Sequence, residues 1–267
     1  MRALRLPAIR GLAWITEGYR LFAKSPLLLV LLILTYWFLM IASNVVPVLG
    51  PLVATALIPT FSVGLMAACR ALDRGEAAGM NQLFAGFRTN FPVLLRLGLT
   101  YLVSTMAILA ISALFDGGTL MKMMLLGVHP AADFADDDGL LLATEVALLL
   151  FVPVLMGFWF APMLAAWHGV PAFKSLFFSY FACLRNLRAF LVYGVVLAIL
   201  SIAVPAVVFA VLAAILQTQG AKFAVIVVMP FFFVLVATVF ASFYTSYRDI
   251  FRDDEASAAV PDVTPDP

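Results

Sequence analysis

Charge is what this sequence has least of. Asp, Glu, Lys and Arg make up 12% of its 267 residues, against about a quarter in ordinary soluble domains. Apolar residues reach 64%, and mean hydropathy is +1.09. That balance excludes a soluble globular protein and predicts a membrane protein. It also excludes a nucleic-acid partner, because a net charge of +1 leaves no face of uncompensated bases to neutralise phosphates. Cysteine is nearly missing. Cys69 and Cys183 cannot build a disulfide framework, and both fall beside loops assigned below to the cytosol, so reduced thiols are expected. His129 and His168 are the only histidines, and with the two cysteines they match no zinc spacing. There is no GxxxxGK[ST] phosphate loop, HExxH zinc motif or GxSxG elbow. No catalytic residue, cofactor or metal is therefore assigned, and the protein is not expected to be an enzyme. A removable signal peptide is not expected either: charge interrupts residues 1–25, and no small-residue cleavage site follows a short apolar core.

What the sequence does contain is long apolar runs. About 20 apolar residues cross the hydrocarbon layer as a helix, since lipid offers nothing to hydrogen-bond an open backbone. Six runs qualify: 26–46, 52–69, 92–115, 140–167, 189–216 and 223–245. The fold class is all-α, a polytopic membrane helical bundle. The connections "PVLGP" (47–51) and "QTQGAK" (217–222) are short enough to make tight antiparallel hairpins. Orientation follows the placement of bases. One face collects Arg2, Arg5, Arg10, Arg20, Lys24, Arg70, Arg74, Arg88, Arg96, Lys174, Arg185, Arg188, Arg248 and Arg252, the other only Lys122 and Lys222. Both termini are thus expected in the cytoplasm. Loop 116–139, with Asp116, Asp133, Asp136, Asp137 and Asp138, faces outward.

The stretches before spans one, three and five share a pattern. Ile9, Leu12, Ile15, Tyr19 and Phe22 fall opposite Arg10, Glu17, Arg20 and Lys24. Met80, Leu83, Phe84, Phe87 and Phe91 fall opposite Asn81, Gln82, Arg88 and Thr89. Phe173, Leu176, Phe177, Tyr180, Leu184 and Leu187 fall opposite Ser175, Ser179, Arg185 and Asn186. Each predicts an interfacial amphipathic helix on the cytosolic face, in contact with membrane lipids and their anionic headgroups. A single transmembrane domain, 1–250, is expected, with a threefold hairpin repeat over about 8–69, 78–167 and 171–247. Pro26 and Pro92 suit the bends. Arg188 and Ala189 stand at the third junction, where a continuous or kinked helix is expected. The tail 251–267 is acidic, proline-rich and expected to be disordered in the cytosol.

Few polar residues interrupt the spans. Arg96 and Glu145 are charges inside apolar runs, where each would cost roughly 3 kcal/mol at a helix centre. Arg96 lies near the inner end of span three and Glu145 near the outer end of span four, so they read as snorkelling side chains rather than as a pair. Pro59, Pro153 and Pro230 fall at comparable depths in spans two, four and six, where they would kink the helices or mark a transport site. "MKMMLLGVH" (121–129) has thioethers and an imidazole that could hold copper(I), but its apolar residues favour a short outer-surface helix. "DFADDDG" (133–139) lacks the spacing of a calcium loop and reads as a solvated turn. Trp14, Trp167, Tyr180, Tyr244 and Tyr247 read as interfacial anchors, and Tyr36, Trp37 and Trp159 as packing between helices.

Through "GLAWITEGYRLFAKSP", "GFRTNFPVLL", "FWFAPMLAAW" and "SYFACLRNLRAFLVYG" the chain resembles an uncharacterised family of bacterial six-span inner-membrane proteins, from residue 8 to about 250. Its layout is also similar to the membrane domain of some glycerophosphodiester phosphodiesterases, without their catalytic domain. The resemblance implies the bacterial inner membrane and carries over no catalytic residue. The expected function is a non-enzymatic integral membrane protein in envelope organisation or as a membrane partner, with a membrane protein as partner. The alternative is a transporter or permease for a small or lipid-like substrate, its cavity between Pro59, Pro153 and Pro230.

Overall fold

The computed structural model describes residues 3–43, 45–46, 49–127, 138–216 and 220–251. His129, Asp133, Asp136, Asp137, Arg2, Arg252, the first half of "QTQGAK" and the acidic tail, all named above, lie outside them. Every regular element among the described residues is a helix. In chain order they form α1 (Arg10–Lys24), α2 (Pro26–Ser43), α3 (Leu49–Asp73), a 3-10 turn (Met80–Phe84), α4 (Ala85–Arg88) and α5 (Phe91–Asp116). There follow α6 (Thr119–Leu126), α7 (Asp138–His168), α8 (Ala172–Arg185), α9 (Leu187–Ala198), a π turn (Ile199–Ala203), α10 (Val204–Leu216) and α11 (Gly220–Ile250). Six stretches are long and apolar enough to cross a membrane: Pro26–Ser43, Leu49–Asp73, Phe91–Asp116, Asp138–His168, Leu187–Ile215 and Ile226–Ile250. They match the six runs expected from hydropathy. The threefold repeat remains a sequence-level expectation.

The junctions follow local chemistry. Pro26 opens α2 and Pro92 sits in the first turn of α5, where a missing N–H costs nothing. Before α5, Asn90 takes a left-handed conformation (φ 49°), a state asparagine tolerates better than other side-chain-bearing residues, and its Nδ2 donates to the Ala165 carbonyl at 2.9 Å. The amphipathic stretch ahead of this corner is shorter than expected, one 3-10 turn and one α turn. At the third junction the helix is kinked, because Asn186 leaves helical geometry (φ −110°, ψ 20°) between α8 and α9. Pro205 has no N–H for the carbonyl four residues back, and the chain opens into the π turn there. "MKMMLL" forms the short helix α6.

By contacts the chain falls into two compact units. One takes Met1–Ile33, Ala68–Met80 and Ala182–Pro267, the other Leu34–Ala67 and Asn81–Phe181. The second unit has an alanine-rich core of Val63, Leu94, Leu97, Ala161, Ala165, Ala166 and Ala172, with Val93, Phe158, Trp167 and Leu176 around it. Small side chains allow the close helix contact that drives packing where lipid supplies no hydrophobic contrast. Gly98 of α5 lies directly on the Ala56 carbonyl of α3, so that a Cβ there would collide with backbone. In α7, beside the internal Pro162, the Ser179 hydroxyl of α8 accepts from the Phe160 N–H and donates to the Met156 carbonyl, both at 2.8 Å.

In the first unit, α1 packs on α9 and α11. Gly11 lies against the Ala189 backbone, and a Cβ on Gly18 would sit 2.6 Å from the Ser242 nitrogen. Trp14 fills the space between, its ring 5.2 Å from Phe190 and 6.0 Å from Tyr193. The face of α1 turned inward is thus Gly11, Trp14, Gly18 and Leu21 with Ile15 and Phe22, whereas Ile9, Leu12 and Tyr19 of the apolar stripe are exposed. In α8, too, small polar residues face inward. Ser175 and Ser179 are buried, and Phe173, Phe177, Phe181 and Leu184 point outward.

Candidate functional site

The densest polar arrangement is a chain of charges in the first unit. Arg10 of α1 donates from Nε to Asp249 Oδ2 at 2.7 Å and from its Nη2 to Glu17 Oε1 at 2.9 Å. Glu17 Oε2 accepts from Arg248 at 2.7 Å, and Arg248 also donates to Asp73 Oδ1 at 2.7 Å. Two aromatic donors complete the chain: Trp14 Nε1 to Asp249 Oδ2 at 2.9 Å and Tyr244 Oη to Asp73 Oδ2 at 3.1 Å. Lys24 Nζ reaches the Leu72 carbonyl at 2.9 Å. Three carboxylates and two guanidinia from α1, α3 and α11 are therefore joined in series, and the hydrogen bond that Arg10 donates to Asp249 holds the Arg10 pKa above its ordinary value.

Spacing explains how the sequence delivers these groups. Arg10, Trp14 and Glu17 recur at helical intervals along one side of α1, and Tyr244, Thr245, Arg248 and Asp249 occupy the last turns of α11. The Thr245 hydroxyl donates to the Trp14 carbonyl at 3.0 Å, and Tyr193 Oη pairs with Ser242 Oγ at 2.8 Å. The N-terminal segment is fastened too. Leu4 N–H donates to the Ile250 carbonyl at 2.9 Å. Asn186 accepts from the Leu6 N–H and donates to the Leu4 carbonyl. Trp14, Tyr244 and Tyr247 are consequently buried at 0%, 2% and 2% exposure. The expectation that they anchor the membrane interface is corrected: Trp14 and Tyr244 serve as hydrogen-bond donors to the carboxylates. Trp167 and Tyr180 are half-buried.

The residues singled out from sequence do not belong to this cluster. Arg96 and Glu145 are exposed, and neither side chain forms an ion pair among the described residues. Pro59 is buried inside α3, while Pro153 in α7 and Pro230 in α11 are exposed. Sequence reading placed Arg10 and Glu17 on the solvated side of α1 and left Asp73 and Asp249 unremarked. The available signal was weak: carboxylates at the ends of two apolar runs, each next to an arginine. Cys69 and Cys183 are buried, and neither is in a disulfide among the described residues.

A probable inner membrane protein of Burkholderia thailandensis is 42% identical to this chain over 265 residues, 97% of the length of each. The chain belongs to that inner-membrane protein family. It is thus a multi-pass protein of the bacterial inner membrane, with the six apolar helices as its spans. No family profile matches it, and no solved structure does. The likeness in layout to the membrane domain of glycerophosphodiester phosphodiesterases rests on the sequence alone.

Proposed function

We propose that this inner-membrane protein is a non-enzymatic scaffold acting in envelope organisation as a membrane partner, with both termini in the cytoplasm and its pre-span segments seated among anionic headgroups. One observation carries the reading. Every carboxylate of the charge chain is engaged, Asp249 by Arg10 and Trp14, Glu17 by Arg10 and Arg248, and Asp73 by Arg248 and Tyr244. Carboxylates so engaged hold helices in register and have little freedom to act as bases. The orientation is supported by the basic residues that remain exposed, among them Arg20, Arg88, Lys174, Arg185 and Arg188. These lie beside outward apolar side chains such as Tyr19, Phe87, Phe173 and Leu187, the pairing that suits a headgroup layer.

Reporter fusions after residue 118 and after residue 251 test the orientation, with the first expected outside and the second inside. The scaffold role is tested by cross-linking in intact membranes followed by purification, with a membrane protein expected in fixed proportion. A solute gradient dissipated by the purified chain alone in proteoliposomes would instead establish the permease alternative.

A further inference from the structure

We infer that the first unit carries a binding site for a single glycerophospholipid, its phosphate on Arg20 and one acyl chain in a cleft between α1 and α11. The cleft encloses about 460 Å³ and is lined by Ile15, Tyr19, Arg20, Phe231, Leu235 and Thr238, among others. That volume is within the range of small-molecule sites, roughly 300 to 1,000 Å³. Its lining is mostly apolar, with polar groups on Thr16, Tyr19, Arg20 and Thr238, and the last two point to the same ligand.

The first is Arg20, which is exposed and, among the described residues, makes no hydrogen bond or ion pair. The nearest carboxylate on its own helix, Glu17, is already taken by Arg10 and Arg248. Arg20 also lines a small polar pocket with Lys24, Arg248, Glu17 and Asp73; both carboxylates there are already held by Arg10, Arg248 and Tyr244, which leaves the Arg20 guanidinium to take a phosphate. The second is Thr238. It is 5% exposed, it lines the cleft, and its hydroxyl has no partner among the described residues. A buried hydroxyl without a partner is costly, and an ester carbonyl of a lipid would accept its hydrogen bond.

The order of these groups fits the order of a lipid. Thr238, Leu235 and Phe231 lie on one face of α11 and lead away from the end that carries Arg248. The seven residues from 238 back to 231 extend about 10 Å at the usual rise of an α-helix. A phosphate at Arg20, an ester at Thr238 and an alkyl chain running past Leu235 to Phe231 follow in sequence. The inference rests on the proposed seating of α1 in the headgroup layer, and it assigns that layer one specific, stoichiometric site.

Native mass spectrometry of the full-length protein in detergent tests it with three probes. These are dioleoyl phosphatidylglycerol; dioleoylglycerol, which has the tails without phosphate; and glycerol 3-phosphate, which has phosphate without tails. One phosphatidylglycerol per chain is expected, with the other two retained weakly. Arg20→Gln and Leu235→Trp should each lower its occupancy about tenfold, the loss of one strong contact, and Thr238→Val should lower it less. Arg188→Gln, an exposed base outside the cleft, should leave it unchanged. Thermal melting identifies any variant that fails to fold; should Leu235→Trp do so, Arg20→Gln and Thr238→Val decide. Equal retention by wild type, Arg20→Gln and Thr238→Val overturns the site, as does equal retention of dioleoylglycerol. An equal fall in Arg188→Gln also overturns it, in favour of diffuse headgroup attraction, and leaves the scaffold reading standing.

Discussion

Helices α1 and α8 each precede a span, and each turns apolar side chains outward, yet they present different chemistry to their neighbours. From α1 come Arg10, Trp14 and Glu17, tied to Asp249 and Arg248 at 2.7 to 2.9 Å. From α8 come Ser175 and Ser179, with Ser179 bridging Met156 and Phe160 of α7. The charged solution links residues 239 positions apart in sequence and is half-buried, so removal of one member strands another charge. The serine solution is compact: a hydroxyl satisfied at short range lets two helices approach and leaves little behind when it is lost. The same apolar-out arrangement can therefore be secured by electrostatics or by close packing.

The contrast can be broken at its strongest point first. Gly18→Leu inserts a side chain against the Ser242 backbone and should separate α1 from α11, at a cost of about 3 kcal/mol or more for a forced overpacked contact. The readout is thermal unfolding in detergent, with loss of near-UV signal from Trp14. Asp249→Ala should follow, at about 2 to 3 kcal/mol, because Arg10 and the Trp14 N–H lose their shared acceptor. Pairing it with Arg10→Leu in a double-mutant cycle should recover part of that loss, and strict additivity would mean that the two residues do not interact.

The serine side gives smaller effects. Ser179→Ala should cost about 1 kcal/mol, one neutral hydrogen bond, and should leave hydrogen exchange in α1 unaltered. A penalty as large as that of Asp249→Ala would erase the distinction between the two helices. Smallest of all are Arg96→Gln and Glu145→Gln, expected within about 0.5 kcal/mol for exposed side chains away from packed features. A cooperative loss of stability in either would reveal a partner for that charge.

Hydropathy made the six spans and their approximate ends legible, together with the prolines that open α2 and α5 and the short helix at 119–126. Periodicity located the amphipathic character of α1 and α8, but it did not say which of their side chains pack on neighbouring helices. In water an apolar stripe points to the core. In lipid, apolar side chains are equally at home outside, and the inward face goes to small residues and to polar groups that find partners. Gly11, Gly18, Ser175 and Ser179 carried that information without the hydrophobicity by which faces are usually recognised. Arg96 and Glu145 drew attention because their charge breaks an apolar run. Asp73 and Asp249 did not, because each closes a span and reads as an ordinary water-facing end.

The sequence by itself determined the solvent of this protein and the number of crossings, since both follow from composition and from the local demand that every backbone group in hydrocarbon be hydrogen-bonded within its own helix. The tertiary structure alone decided that Arg10 meets Asp249, that Trp14 is buried, and that Arg20 and Thr238 share a cleft. Those pairings join residues more than two hundred positions apart, and they depend on the rotation of each helix about its axis, which close glycine contacts and satisfied polar groups set and hydropathy does not.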